Sequence, residues 1–323
     1  MLHKAHKNKA TKHKHKLRTP SDLTRHLGVK EDYLREIVRE LDCDETKLYR
    51  SWERPKHKGS VETRPIDEPK AKLKFIQERI NEKILQRTQI HKAACGGIRG
   101  KGLLNNLQPH VGQPMVLTLD LKNCFPNITN RHVYNMFCAI GASPDVAKIL
   151  TRLTTFKGRV PQGAPTSTMI ANLVAGYGGR SCLDGRIEGL CRKHGSNSSR
   201  WVDDITISGP THLRKLGPTV EKIIEQSGFK PNREKTRCAT KSEAQQVTCH
   251  LVNVKPNIKK SEKRKLRALL YKCKMQVPQL CTNESAEKLK QQLRGKIAHY
   301  ASVNPEQGAK FLKEFKSINW QGE

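Results

Sequence analysis

Two adjacent aspartates stand in the middle of a stretch that otherwise has the composition of a β-hairpin. The sequence SRWVDDITISG, residues 199–209, places Asp203 and Asp204 between two short runs of β-prone residues. Aspartate is a poor strand former and neighbouring carboxylates repel each other, so these acids belong at a turn. A solvated turn would accommodate them, and so would a bound cation. Because a chain of this length contains about one adjacent Asp pair by chance, other segments must decide between the two explanations.

The net charge of the chain limits the class of molecule that it is expected to bind. The 323 residues carry a formal net charge of +31. A positive field of this size favours a polyanion, and nucleic acid is the expected partner. An anionic membrane surface is the alternative, but the sequence has no evident basic helix with a large apolar face and no apolar run of spanning length. The charge therefore predicts a nucleic-acid-binding protein without a membrane partner.

Targeting and redox patterns favour the cytoplasm. The first 19 residues carry seven Lys or Arg, four His and no acid, which is typical of a solvated basic arm and unlike a signal peptide. The ten cysteines are scattered and include no C-x-x-C pair. Neither a disulfide framework nor a zinc site is expected from this spacing, and a reducing cytoplasm fits it best.

Hydrophobic periodicity predicts an α+β chain in which helices pack on one side of an antiparallel sheet. The first helix is predicted to start at a capping residue, Ser21, and to end at Gly28. Residues 51–68 are predicted to form a strand pair or loop, and residues 246–254 a strand. Further helices are predicted over residues 72–85, 130–141, from about 166 to 176, 217–228, and through the last seventy residues.

A third acid joins the pair. Asp120 lies near the end of the apolar run QPMVLTLDL, residues 113–121, which has the pattern of a buried strand. Three carboxylates at strand ends or turns are what two-metal catalysis requires, because they hold two Mg²⁺ about 4 Å apart. Mg²⁺ also prefers carboxylates together with substrate phosphates over a full protein cage. A strand-ending acid in solvent is the other interpretation of Asp120.

Five segments occur in the order and spacing of polymerase motifs: VLTLDLKNCFPNI, VPQGAPTST, RWVDDITISG, GFKPNREKT and QVTCHLVN. Together they resemble the motifs of a reverse transcriptase, from about Arg64 to about Val254. The resemblance implies a right-hand polymerase fold with fingers, palm and helical thumb. The implied division is a basic N-terminal arm and helices at 1–50, fingers at 51–115, palm at 116–254 with a fingers segment near 130–165, and thumb at 255–323.

Within reverse transcriptases the chain most resembles the bacterial retron type. The resemblance rests on the small size, on TRPIDEPKAKLKFIQERI, on NNLQPH before the first acidic strand and on QVTC near the thumb. Retron enzymes usually carry Asn-Ala-x-x-His and Val-Thr-Gly at the last two places. This chain has Asn106 and His110 with Leu107 between them, and Cys249 where the family has glycine.

The resemblance assigns roles to the acids and to a lysine. Asp120 and Asp203 would bind both Mg²⁺ ions, the backbone carbonyl of Leu121 would add a ligand, and Asp204 would be more peripheral. Lys235 matches the family lysine proposed to protonate the leaving pyrophosphate. A solvated loop lysine is the alternative for Lys235.

Other positions would contact the substrate. Phe125, five residues past Asp120, matches the steric gate that collides with a ribose 2′-hydroxyl and so selects dNTPs. Gln162 resembles the glutamine lining the nucleotide pocket, and Gly163 permits close approach. Arg64 and Lys74 match the basic fingers residues that grip the triphosphate.

Three further positions concern the nucleic acid. Trp201 stands where the family pattern Tyr-x-Asp-Asp has tyrosine, and its ring can still pack under the primer end. Asn106 and His110 would make retron-specific RNA contacts, whereas a capped turn is the alternative for both. The basic C-terminal segment around a leucine stripe would follow the duplex phosphates without reading sequence.

The resemblance implies an enzyme that binds its cognate structured non-coding RNA and copies part of it with dNTPs. Retron enzymes typically prime from a 2′-hydroxyl and leave a branched RNA–DNA product (msDNA), in antiphage defence with a separate effector protein. Other hypotheses are another defence-associated or group II intron-like reverse transcriptase, a polymerase-fold nucleic-acid-binding scaffold with weak or no synthesis, and an RNA-dependent RNA polymerase.

Overall fold

The computed structural model describes residues 17–56, 59–280 and 283–320, so most of the predicted basic arm lies outside the described residues. In these ranges no helix has both the length and the apolar character needed to cross a membrane. The helices are α1 Pro20–Leu27, α2 Glu31–Asp44, α3 Ala71–Lys83, α4 Leu103–Leu107, α5 Cys124–Asn127, α6 Asn130–Ala139, α7 Pro144–Thr154, α8 Ser167–Gly176, α9 Leu183–Lys193, α10 Gly217–Gln226, α11 Lys260–Leu280, α12 Asn283–Val303 and α13 Pro305–Lys316. The strands are β1 Tyr49–Pro55, β2 Thr63–Pro69, β3 Met115–Asp120, β4 Asn197–Trp201, β5 Asp204–Gly209, β6 Arg237–Thr240, β7 Gln246–Val247 and β8 His250–Leu251.

A four-stranded antiparallel sheet forms the centre, in the order β4-β5-β3-β6. The predicted hairpin is confirmed: β4 and β5 are joined by the two residues Val202 and Asp203. Val202 has φ 61°, in the left-handed region that a β-branched residue rarely adopts. The tight turn therefore places the acid pair at the end of the hairpin.

The two faces of the sheet differ in chemistry. Leu117, Leu119, Ile205 and Ile207 alternate along β3 and β5 and are buried in the main hydrophobic core, which also contains the apolar sides of α8, α9 and α10. The opposite face carries the polar residues of the same two strands. This arrangement confirms the predicted α+β architecture with an antiparallel sheet. The prediction that helices pack on one side only was wrong, because Leu107 of α4 and Val303 of α12 cluster with Val116 on the opposite face. The acids lie at the end of that second face.

A second antiparallel pair, β1 and β2, lies over the loop that precedes α8. The backbone N–H of Asp67 donates to the carbonyl of Gln162 at 2.7 Å, which ties the strand pair to that loop. The helix that follows β2 is confirmed as α3, with Leu73, Ile76 and Ile80 buried.

Two local predictions were wrong in detail. The first helix is capped by Thr19 rather than Ser21, because Pro20 occupies the first helical position, where its fixed φ and missing N–H are tolerated. Residues 246–254 form a hairpin of two short strands rather than one strand. Thr248 and Cys249 both have positive φ, which makes the tight turn between β7 and β8.

The C-terminal helices α11–α13 form a hydrophobic cluster of their own. Leu266 and Leu270 of α11 pack with Leu293 and Ile297 of α12, as the leucine stripe predicts. Phe311 of α13 lies in the same cluster. The domain boundaries predicted at residues 50, 115 and 254, between the N-terminal arm, fingers, palm and thumb, stay predictions.

Candidate active site

The register of the sheet brings the three acids together. Asp120, the last residue of β3, lies directly opposite Asp204, the first residue of β5. Directly opposed residues project from the same face of a sheet, so both carboxylates point away from the main hydrophobic core. The backbone N–H of Leu121 donates to the carbonyl of Asp203 at 3.0 Å, which holds the turn against the end of β3.

Asp120 has two polar partners from the segment after α10. Lys235 Nζ lies 3.1 Å from one carboxylate oxygen, and Asn232 Nδ2 donates to the other at 3.0 Å. The N–H of Asn232 also donates to the backbone carbonyl of Asp120 at 2.8 Å. Sequence reasoning identified Lys235 but missed Asn232, although both stand in the motif GFKPNREKT.

Burial and like charge both act on the acids. Burial raises the pKa of Asp203, and the charge of Asp120 adds to the rise. Burial, followed by the charges of Asp203 and Asp120, raises the pKa of Asp204 to about 6. Burial lowers the pKa of Lys235, but its hydrogen bond to Asp120 and the nearby acids outweigh this, so the pKa is raised. The site concentrates negative charge that a bound cation would relieve.

The available donors suit a hard divalent cation. Carboxylates and a backbone carbonyl at the end of β3 are oxygen ligands of the kind that Mg²⁺ prefers. Across the ranges given above, no three His, Cys, Asp or Glu side chains already converge as a ligand cluster. Lys235 and Asn232 engage both carboxylate oxygens of Asp120. The aspartates therefore suit a divalent cation by the chemistry of their oxygens.

Two of the three acids, Asp120 and Asp204, border an open cavity of about 570 Å³ on the polar face of the sheet. Asp120, Asp204 and Lys235 line one part of it, and Thr248 and Cys249 at the β7–β8 turn line another. The volume lies in the range of ligand pockets, and its wall is continuous with the strands that carry the acids.

The residues expected at the nucleotide lie on short segments around this sheet. Phe125 is half-buried in α5, directly after the segment that ends β3. Gly163 has φ 116°, and a Cβ there would meet Ile66 Cγ2 at 3.1 Å and the Asp67 carbonyl at 3.3 Å. Glycine is therefore required for the loop at Gln162 to lie against β2.

The two basic fingers residues are placed differently. Arg64 is exposed on β2, where it lies opposite Arg54 of β1. Lys74 on α3 forms an ion pair with Glu68 at 3.1 Å. The structure thus leaves Arg64 accessible to a phosphate, whereas Lys74 already has an acidic partner.

Comparison with known proteins decides the family. A family model described as reverse transcriptase (RNA-dependent DNA polymerase) matches residues 55–269. The retron Mx65 reverse transcriptase of Myxococcus xanthus is 31% identical over 319 residues, which cover 93% of this chain and 71% of the relative. The chain belongs to the retron-type reverse transcriptases. The retron Mx162 enzyme of the same organism is 29% identical, with 92% of this chain and 66% of the relative covered.

A third relative, the retron Ec86 reverse transcriptase of Escherichia coli, is 30% identical over 212 residues, which cover 64% of this chain and 64% of the relative. The chain thus spans about two thirds of the length of these curated relatives. A solved structure of telomerase from Candida albicans in complex with an RNA fragment covers 87% of this chain at 10% identity and a TM-score of 0.42. The family assigns the right-hand polymerase fold and the class of RNA-directed DNA polymerases, which generally use divalent metal ions.

Gly96, which sequence reasoning missed, leaves room for the ring of Trp201 in this reverse transcriptase. A Cβ on Gly96 would lie 2.8 Å from Val202 Cγ2 and 3.1 Å from Trp201 Cδ2. The ring can therefore occupy the tyrosine position because residue 96 has no side chain. The adjacent pair Gly96-Gly97 was the available signal, since paired glycines mark close backbone approach.

A buried arginine supports the same hairpin and was also missed. Arg200 and Asp184 are only 1% and 2% exposed and form a two-pronged ion pair at 2.7 Å. Arg200 also donates to Asn172 Oδ1 at 2.9 Å and to the Val202 carbonyl at 2.7 Å. Asn172 in turn donates to the Gly96 carbonyl at 2.7 Å. These bonds attach the turn that contains Asp203 to the helices packed on the apolar face of the sheet.

The two residues expected to contact RNA are inside the protein, at odds with that prediction. Asn106 is 1% exposed and His110 is 0% exposed. Asn106 donates to Thr248 Oγ1 at 2.8 Å and accepts from Ser199 Oγ at 2.7 Å. His110 bridges Ser199 and Ser208, and burial lowers its pKa to about 4, so the ring is neutral. Both side chains instead connect the central sheet to the segments that pack on its polar face.

Proposed function

We propose that this reverse transcriptase binds its own structured non-coding RNA and copies part of it into DNA by two-metal-ion nucleotidyl transfer. The product is a branched RNA–DNA molecule that serves antiphage defence together with a separate effector protein. The observation that carries the proposal is the meeting of Asp120, Asp203 and Asp204 at one end of the polar sheet face, beside Lys235. The nine described cysteines are all free, which favours a reducing cytoplasm.

In this mechanism Asp120, Asp203 and the Leu121 carbonyl would hold two Mg²⁺ ions, with Asp204 more peripheral. The bound ions would supply activation of the attacking hydroxyl and stabilisation of the leaving oxygen. Lys235 stays protonated because Asp120 raises its pKa, and this proton is available to the leaving pyrophosphate.

The selection of dNTPs rests on Phe125. Phe125 lies on α5, between β3 and α6, and in this proposal its ring would collide with a ribose 2′-hydroxyl. The Gln162 loop would line the nucleotide pocket. Its Gln162 carbonyl accepts a hydrogen bond from the Asp67 N–H, which holds the loop in place. Arg64 binds the triphosphate from the exposed strand β2.

The nucleic acid that copurifies with the protein from its native context tests this function. Wild type is compared with Asp203→Asn and with a control, Asp145→Asn, which changes an exposed acid on α7. Each sample is divided between RNase and DNase treatment. We expect RNA-linked, DNase-sensitive material in wild type and in the control, and RNA alone in Asp203→Asn.

RNA alone in all three samples would instead make the protein an RNA-binding scaffold. A product that resists DNase and contains ribonucleotides would identify an RNA polymerase. The same samples, probed with dNTPs or NTPs, measure the selectivity assigned to Phe125.

A further inference from the structure

A second cavity lies on the outer side of α9. It has a volume of about 320 Å³, and its lining includes Arg180, Arg186 and Arg192 together with His91 and Glu188. We call this cavity the back pocket. Nothing assigned so far to nucleotide, metal or template involves these residues.

The helix itself separates the back pocket from the acids. Asp184, Ile187 and Cys191 on α9 are buried toward the core, and Arg200 reaches Asp184 from the apolar face of the sheet. Arg192 lies on the exposed side of the same helix. Because Asp120 and Asp204 project from the opposite sheet face, the back pocket is a separate site.

The back pocket has an excess of positive charge. Its acid, Glu188, is already engaged by Lys92 and, at 3.1 Å, by His91. Hydrogen bonding to Lys92 accordingly lowers the pKa of Glu188. Within the described chain, the side chains of Arg180 and Arg192 have no hydrogen-bond or ion-pair partner. Two guanidinium groups are thus available for an anion.

Two glycines one turn apart shape the back pocket. A Cβ on Gly185 would lie 2.0 Å from the Gly179 carbonyl oxygen, so only glycine lets the segment bearing Arg180 lie directly on α9. At Gly189 a Cβ would meet nothing within 4 Å, so this position opens to solvent. Arg180 and Arg192 are thereby placed around a groove whose floor is bare backbone.

We propose that the back pocket binds the phosphate backbone of an RNA strand outside the polymerase cleft. Guanidinium groups bind phosphate oxygens with two parallel hydrogen bonds, and the cavity is large enough for about one nucleotide. RNA is favoured over an acidic protein because the net charge is +31 and the family copies RNA. The inference rests on the RNA partner of the proposed function but not on DNA synthesis. This site holds part of the RNA while the template passes through the active site.

Charge reversal in the full-length chain tests the back pocket. Arg180→Glu/Arg192→Glu is compared with Lys193→Glu/Lys222→Glu, which makes the same change in net charge at nearby exposed positions that do not line the cavity. The probe is a fluorescein-labelled RNA hairpin of about 40 nucleotides with single-stranded flanks, and the readout is anisotropy at several salt concentrations. Unchanged thermal melting establishes that each variant is folded, and Arg180→Gln/Arg192→Gln provides a milder version.

We expect the back-pocket variant to bind this RNA about 10-fold more weakly than the control variant. Its plot of log affinity against log salt should be shallower by about 1.4, the value for two single-strand phosphate contacts. Incorporation of dNTP on a short preannealed primer–template should not change. Equal losses in both double variants would overturn the proposal, and so would a loss confined to single-stranded DNA of the same sequence. Asp203→Asn tests synthesis separately, so the two proposals can fail independently.

Discussion

Asp184 is the acid whose replacement tests the support of the β4–β5 hairpin most directly. Its carboxylate accepts from Arg200 Nε and Nη2, both at 2.7 Å. The remaining Arg200 donors bind Asn172 and the carbonyl of Val202, so all five are engaged. Asp184→Asn keeps the shape of the side chain and removes its charge. The substitution therefore creates no cavity, and its effect reports on the ion pair.

The expected loss is large because the arginine would remain buried without a counter-charge. Removing one partner of a buried pair costs about 3–5 kcal/mol. One hydrogen bond can persist through Asn Oδ1, whereas the amide NH₂ group opposes the second guanidinium donor. A loss of this size is a large fraction of the total stability of about 5–15 kcal/mol.

Urea unfolding followed by near-ultraviolet circular dichroism measures this loss, with Asp145→Asn as the control at an exposed acid. The control should change the free energy of unfolding by less than about 0.5 kcal/mol. A second variant, Asp184→Leu/Arg200→Met, replaces both charges by apolar groups and should recover much of the stability. It should not recover DNA synthesis, because the bond to the Val202 carbonyl is lost.

Two results would refute this reasoning. A loss below about 1 kcal/mol for Asp184→Asn would show that the ion pair is not isolated from solvent. Full synthesis by Asp184→Leu/Arg200→Met would show that Arg200 does not position the turn bearing Asp203.

Three further predictions concern the same region. Asp204 has a pKa of about 6 in the folded state against an ordinary value of 3.8. Without divalent ions it therefore binds its proton more tightly in the folded state than in the unfolded state. The free energy of unfolding should consequently fall as the pH rises through about 6. Melting temperatures at pH 5 and 7.5 in EDTA should show this dependence in wild type and less of it in Asp204→Asn; an equal dependence in both would contradict it. Gly96→Ala should lose about 1–3 kcal/mol through contact with Trp201 and Val202, whereas Gly295→Ala, with open space around it on α12, should gain up to about 1 kcal/mol in the same urea assay. Cys249→Gly should gain about 1 kcal/mol, because glycine adopts φ 66° without strain; a destabilised variant would argue against strain at this turn.

Several features of the site followed from local sequence. The β4–β5 hairpin was predictable because two adjacent acids between β-prone runs favour a turn. The structure has its turn at Val202 and Asp203, within the predicted segment. The apolar run ending at Asp120 likewise predicts a buried strand that delivers an acid at its end. Both patterns act over a few residues, which is the range within which sequence alone constrains the backbone.

Tertiary structure decided the rest. Asn106 was expected at an RNA surface, but it is buried against Thr248, which lies 142 residues further along the chain. Arg200 was one basic residue among 61 Lys and Arg until the fold placed it between Asp184 and the Val202 carbonyl. The sequence by itself determined the polymerase motifs and the acids at the strand ends. Burial, charge pairing and the back pocket depend on segments that meet only when the chain folds, so no local pattern contains them.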